Sequence, residues 1–217
     1  MLFSIAISTY EANGNGHIYL KTNLDKIKDQ TFKDIEVVIS DHSKNDEIKK
    51  LCMIYSSFFN IKYIKYSQDY GSSSSNTNNA INKCNGELVK ILFMDDYLEN
   101  ENSLQIIVDE FKKNPDKKWL VNSYYHKQNN LYNSIFHPSW NNYILFANTI
   151  GCPSAVTIKK EIKTRFDNNL VWFMDCDFYH RIVLEYGLPL FLHNPIIVNQ
   201  LHSDQVTNKI TTEIINK

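Results

Sequence analysis

Arginine is almost missing from this chain. Of 23 basic residues only Arg165 and Arg181 carry a guanidinium, whereas asparagine occurs 26 times. A mix rich in Lys, Asn, Ile and Tyr reads as genomic base composition, and two arginines in 217 residues become positions to follow. An excess of positive charge is missing as well. Lys and Arg number 23 against 24 for Asp and Glu, a formal net charge of -1, so the cationic footprint of a dedicated nucleic-acid binder is lacking. The four cysteines form no C-x-x-C pair, which argues against a zinc ribbon or a redox couple and leaves reduced thiols as the expectation. No segment reaches the roughly 18 uncharged apolar residues that cross a bilayer. The start, MLFSIAISTY, has no basic region ahead of its short apolar run, so it reads as a buried strand rather than a signal peptide. These absences predict a cytoplasmic protein without a transmembrane segment, and they leave peripheral membrane association open.

What the chain does have is a core. Hydrophobic residues make up 43% and aromatic residues 13% of it, which excludes a disordered polymer. A chain of this length suits one domain and buries about 70% of its unfolded surface.

Apolar runs at residues 3–7, 35–39, 61–66 and 88–94 alternate with helix-like stretches at 17–28 and 46–58. A polar Gly/Ser/Asn segment, 71–79, reads as a loop leading into a short helix. Strands alternating with helices predict β-α-β units, hence an α/β fold with a doubly wound, mostly parallel sheet. A helix at 103–113 ends at Pro115, and a strand follows at 119–125. The Asn-rich aromatic stretch 127–148 has no clear period and reads as an insertion or lid-type loop. Beyond it come a strand at 155–158, a helix at 178–186, short strands at 190–192 and 196–199, and a polar tail.

In open parallel sheets ligands bind beyond the carboxyl ends of the strands, so the polar residues just after each apolar run are the candidates. Neither phosphate-binding fingerprint is present: Asn13-Gly14-Asn15-Gly16 has Tyr19 at the third glycine position, and no G-K-[ST] occurs. A diphosphate would then need a cation held by acids. Asp95-Asp96, at the mouth of the run 88–94, reads either as ligands for a hard cation or as a solvated turn. Asp175, in Trp172-Phe173-Met174-Asp175-Cys176-Asp177, reads either as a proton acceptor or as a helix cap. His202 follows a short strand and reads as a metal ligand or an ordinary histidine.

Taken in order, S-I-A-I-S-T-Y-E, Q-T-F-K-D-I-E-V-V-I-S-D-H-S, N-K-C-N-G-E-L-V-K-I-L-F-M-D-D, W-F-M-D-C-D-F-Y-H-R and H-S-D-Q-V-T resemble inverting family 2 glycosyltransferases of the GT-A fold, over about residues 3–207. The resemblance implies one domain spanning 1–217: a nucleotide-sugar half (1–100), an acceptor half (101–207) and a tail (208–217). It also implies roles. Ser8, Thr9, Tyr10 and Glu11 frame the nucleoside, with Tyr10 stacking on the base, and Asp41 accepts the base's ring N–H. Asn78 belongs to the nucleotide site, Asp95 lies near the ribose, and Asp96 holds a divalent metal, Mn or Mg, with His202 helping. Asp175 is the base. Trp140 and Trp172 are acceptor platforms, Trp140 the better placed of the two, while Tyr124 and Tyr125 read as core.

Four departures stand out. His42 occupies a usual glycine position, Asn45 a position where a second Asp is common, Met174 a usual glutamate position, and Thr77-Asn78 replaces an Arg-Asn pair, so a cation expected near the diphosphate is absent. The implied activity is metal-dependent, inverting transfer from a nucleotide-sugar, UDP-sugar favoured, to a saccharide or lipid-linked acceptor in surface-polysaccharide synthesis. Two other classes stay open. A sugar-phosphate nucleotidyltransferase would release pyrophosphate from a nucleoside triphosphate. A catalytically silent nucleotide-sugar-binding module would not hydrolyse donor in Mn.

Overall fold

The computed structural model describes residues 1–202. The tail 208–217 and residues 203–207 of the late histidine motif lie outside the described residues. Strands β1 (Phe3–Thr9) and β2 (Ile35–Asp41) are apolar runs and sit at the centre of the fold, shielded on both faces. Their apolar residues fall on both faces because a strand covered on both faces need not alternate. With β3 (Asn60–Lys65) and β4 (Leu88–Ile91) they form the parallel sequence β3-β2-β1-β4. Between them run helices α1 (Gly16–Lys28), α2 (Glu47–Tyr55) and α3 (Ser73–Asn82).

The second half extends the same sheet rather than starting another. After β5 (Tyr97–Leu98) and helix α4 (Ser103–Lys113) come β6 (Trp119–Gln128), β7 (Leu131–Phe136), β8 (Val156–Lys159), helix α5 (Met174–Tyr186) and β9 (Leu190–Gln200). The order continues β4-β8-β6-β9-β5, with β7 paired to the outer part of β6. β8 runs antiparallel to both β4 and β6, whereas β6 and β9 are parallel. The parallel arrangement expected from the sequence therefore holds for the first four strands, and the sheet is mixed beyond β4. The described residues contain no helix long and apolar enough to cross a membrane.

Three expectations change. The polar segment 71–79 is largely helix α3, capped by Ser72, whose hydroxyl accepts the Ser75 N–H at 3.2 Å. Part of the aromatic stretch 127–148 is strand β7, joined to β6 through Asn129 and Asn130, both at positive φ (50° and 64°). Two consecutive left-handed residues suit a two-residue hairpin turn, and asparagine tolerates that conformation better than most side chains. Finally, the short strands near the end are one continuous β9.

Candidate functional site

The carboxyl ends of β1, β2 and β4, the start of α3, the middle of β6, the start of α5 and the end of β9 converge on one cleft of about 1490 Å³. Asp95 and Asp96 follow β4 and form part of its wall. The Asp95 carboxylate meets His202 Nε2 at 2.9 Å, and the His202 ring stacks on Tyr19 with centroids 4.6 Å apart. Asp96 is almost wholly buried, and Oδ1 accepts from Asn199 Nδ2 at 2.8 Å and from the Gln200 N–H at 3.3 Å. Burial, with the charge of Asp95 adding to it, pushes the Asp96 carboxyl up to about 7 despite bonds from Ser154, Asn199 and Gln200. Two carboxylates kept side by side at that cost suit a hard cation.

Across the cleft, Asp175 occupies the first turn of α5. Phe173, not Asp175, is the residue that starts the helix, in a left-handed conformation with φ 57°. Asn148 Nδ2 donates to Asp175 Oδ2 at 2.6 Å, and the Cys176 N–H donates to Oδ1 at 2.9 Å. Burial raises the Asp175 carboxyl above the usual range, and these hydrogen bonds to the ionised form pull it part of the way back. Gly151, at φ 94°, borders this end, and a Cβ there would lie 2.5 Å from the Tyr124 hydroxyl.

The expected nucleoside residues divide. Ser8 and Tyr10 line the cleft, and Ser8 Oγ receives the Thr77 hydroxyl at 3.0 Å. Thr9 lies behind them, its hydroxyl on Asp41 Oδ1 at 3.1 Å. Glu11 also stands off the wall; it accepts the Lys44 N–H and, at 3.4 Å, the Tyr70 hydroxyl. Asp41 is fully buried and outside the cleft. Its oxygens accept from Thr9, from the Ser43 N–H at 2.8 Å and from the Tyr63 hydroxyl at 2.7 Å, with Lys65 Nζ at 3.6 Å. A carboxylate so occupied orders the β2 end. Asn78 is likewise spent: its amide clamps both the N–H and the carbonyl of Phe166 at 2.9 and 2.8 Å, and Asn168 as well.

The aromatic platforms also rearrange. Trp172 lines the cleft and Trp140 does not, its indole N–H being turned to Asn142 at 3.1 Å. Tyr124 is buried and yet forms part of the wall, whereas Tyr125 packs edge-on to Tyr132 away from it. Neither arginine reaches the cleft. Arg181 pairs with Asp177 and donates to the Arg165 carbonyl at 2.7 Å, and both arginines border a separate shallow depression. Lys83 follows α3 at its far end and does not line the cleft.

Four contributors went unnoticed in the sequence: Asn148 beside Asp175, Asn199 and Gln200 on Asp96, and Asn76 in α3. Among the described residues, Asn76 Oδ1 and His42 Nε2 are buried without a hydrogen-bond partner, a state that costs about 1–3 kcal/mol per group. An unpaired polar atom of this kind leaves no trace in one sequence.

Comparison with known proteins identifies the family. The family model described as glycosyl transferase family 2 matches residues 4–158, and the chain belongs to that family. A search among curated proteins found no match. Among solved structures, S. aureus TarS 1-349 in complex with UDP-GlcNAc is similar at TM-score 0.79 and 15% identity, covering 100% of this chain and 64% of that one. TarS 1-349 with UDP gives 0.74 and 16%, covering 94% and 61%. The Pyrobaculum calidifontis mannosyltransferase PcManGT, with GDP-Man and Mn2+, gives 0.67 and 13%, covering 91% and 56%. The chain thus spans under two thirds of each of these three structures, and at such identities the likeness is one of fold.

Proposed function

We propose that the cleft transfers a sugar from a nucleotide-sugar, a UDP-sugar in the first instance, to an acceptor hydroxyl with inversion at the anomeric carbon. The observation that carries this reading is the placement of Asp175 on α5 and Asp95–Asp96 after β4 in the walls of one cleft. A saccharide or lipid-linked saccharide of surface-polysaccharide synthesis is the acceptor class that fits the reading. Family membership supports it, as do the fold neighbours solved with UDP, UDP-GlcNAc and GDP-Man.

The chemistry is a single displacement. Asp175 accepts the proton of the acceptor hydroxyl while that oxygen bonds to the anomeric carbon and the bond to the diphosphate breaks. A raised carboxyl pKa makes Asp175 a stronger base than a solvated aspartate, and Asn148 fixes its orientation. Trp172 offers a ring face to an acceptor sugar.

Asp95 and Asp96 fit a divalent cation of the Mn or Mg kind. Such ions take one or two carboxylates and complete their shell with water and substrate phosphate, which suits a site where no group of three or more His, Cys, Asp or Glu is found among the described residues. When bound, the ion supplies positive charge against the departing nucleoside diphosphate. His202, held on Asp95, orients that carboxylate.

Replacing Asp175 by Asn tests the assignment. Transfer should fall by about 100-fold or more, while donor affinity measured by calorimetry stays within about twofold. Equal loss of donor binding and turnover would remove Asp175 from the role of base.

A further inference from the structure

We propose that His126 contacts the sugar being transferred, its ring Nε2 bonding a hydroxyl of that sugar and so selecting it. The inference rests on the cleft being a donor site, as argued above, and assigns a sugar-reading atom within it.

Tyr124, His126 and Gln128 alternate along β6 and all line the cleft. Side chains two apart on a strand share a face, and Tyr125 between them packs on Tyr132 away from the wall. His126 pairs with Asn199 of β9, and its Nδ1 meets Asn199 Oδ1 at 3.1 Å. Asn199 Nδ2 in turn donates to Asp96 Oδ1 at 2.8 Å. On its other side the ring stands edge-on to Tyr124, with centroids 5.2 Å apart. The Tyr124 hydroxyl accepts the Cys152 N–H at 3.3 Å, and the adjoining Gly151 is clamped by Asn148, the amide that also holds Asp175. One seam of wall therefore runs from Asp175 to Asp96, and His126 stands within it.

The displacement proposed above fixes what lies along that seam. The attacking oxygen belongs at Asp175 and the departing diphosphate at Asp95–Asp96, so the sugar ring joined to both falls between them.

The polarity of His126 follows from its partners. Asp96 Oδ1 also accepts the Gln200 N–H at 3.3 Å, so the end of Asn199 that meets it is the amide nitrogen. The other end, Oδ1, is an acceptor, and the proton shared with His126 sits on Nδ1. In the neutral ring Nε2 then carries a lone pair. Among the described residues Nε2 makes no hydrogen bond, and it is not buried as His42 Nε2 is. It opens onto the cleft that its half-buried ring lines. Phe136, edge-on at 6.4 Å, and Tyr124 hold the ring in place. A site built to bond one hydroxyl discriminates against a sugar that lacks it or directs it elsewhere.

Calorimetric titration of UDP, UDP-glucose, UDP-galactose and UDP-GlcNAc in the presence of Mn tests the proposal. His126→Phe keeps the ring contacts, and His126→Asn keeps a nitrogen facing Asn199, but both lose Nε2. Each should weaken the best-bound UDP-sugar by about fivefold, the worth of one hydrogen bond, and leave UDP affinity within about twofold. Unchanged affinity for all three UDP-sugars overturns the proposal. Equal weakening of UDP and the UDP-sugars in both variants also overturns it, because His126 would then act only through Asn199 and Asp96. Failure of wild type to bind UDP or any UDP-sugar would overturn the donor reading itself, a result distinct from binding that ignores His126.

Discussion

Lys90, on β4, is fully buried, and its side-chain nitrogen donates to Asn122 Oδ1 at 2.9 Å. Burial drives its pKa down from 10.5 to about 7, against the pull of Cys152 and Asp96. An unfolded chain keeps this proton to about 10.5, so between the two values the unfolded state binds more protons and stability rises with pH. The destabilisation is complete below about pH 7 and disappears as pH approaches 10.5. Chemical denaturation of wild type and Lys90→Met from about pH 7 to 9.5 should therefore show wild type gaining on the variant, by up to about 1.4 kcal/mol per pH unit. A pH-independent difference would mean that Lys90 keeps its proton in the fold. At this scale the placement of Asp95–Asp96 was legible in the sequence, because a carboxylate directly after an apolar run sits where a buried strand opens onto solvent or a ligand. Their partners were not: Asn148 and Asn199 are two of 26 asparagines, and only the fold selects them.

Apolar period made β1, β2, α1 and α4 legible, and it failed for α3. That helix carries Ser74, Ser75, Asn76, Thr77 and Asn78 on its buried positions, where hydrogen bonds replace apolar packing. Polar burial of this kind has no hydrophobic stripe to read. β7 was hidden by the same limit: its residues are mostly exposed, so nothing forces alternation. The turn between α3 and β4 depends on one glycine. Gly86 donates its N–H to Ser4 Oγ at 2.7 Å and, with Asn85, to the Glu36 carboxylate. Burial alone would raise the Glu36 pKa, but these bonds and that of Ser4 lower it below the usual range. A Cβ on Gly86 would lie 2.6 Å from the Ser4 backbone nitrogen and 2.7 Å from the Leu2 carbonyl. Gly86→Ala should consequently lose about 2 kcal/mol or more in urea denaturation, since backbone cannot yield as a side chain can. A loss under about 0.5 kcal/mol would show that the turn can shift without disturbing β1.

Over the whole molecule, the near-neutral charge noted first has a local counterpart. Among the described residues neither arginine lines the cleft, and its wall holds no lysine. Donor and cation should therefore bind as a pair. Saturating UDP with Mn, at a hundred times the dissociation constant, corresponds to about 2.7 kcal/mol, or roughly 5–10 °C in Tm for a chain of this size. The joint shift should exceed the sum of the two separate shifts, and Asp96→Ala should abolish the excess. Additive shifts in the parent protein would argue against a shared site. The parallel half of the sheet could be anticipated from alternating runs, but the placing of β8 between β4 and β6 could not, because pairing partners so distant in sequence leave no local signal.

That placing has an evolutionary consequence. β4 is hydrogen-bonded to β8 and β5 to β9, so strands from before and after residue 100 are interleaved along one sheet. A chimera that joined residues 1–100 to the later half of a relative would have to recreate both seams at once or leave two strand edges bare.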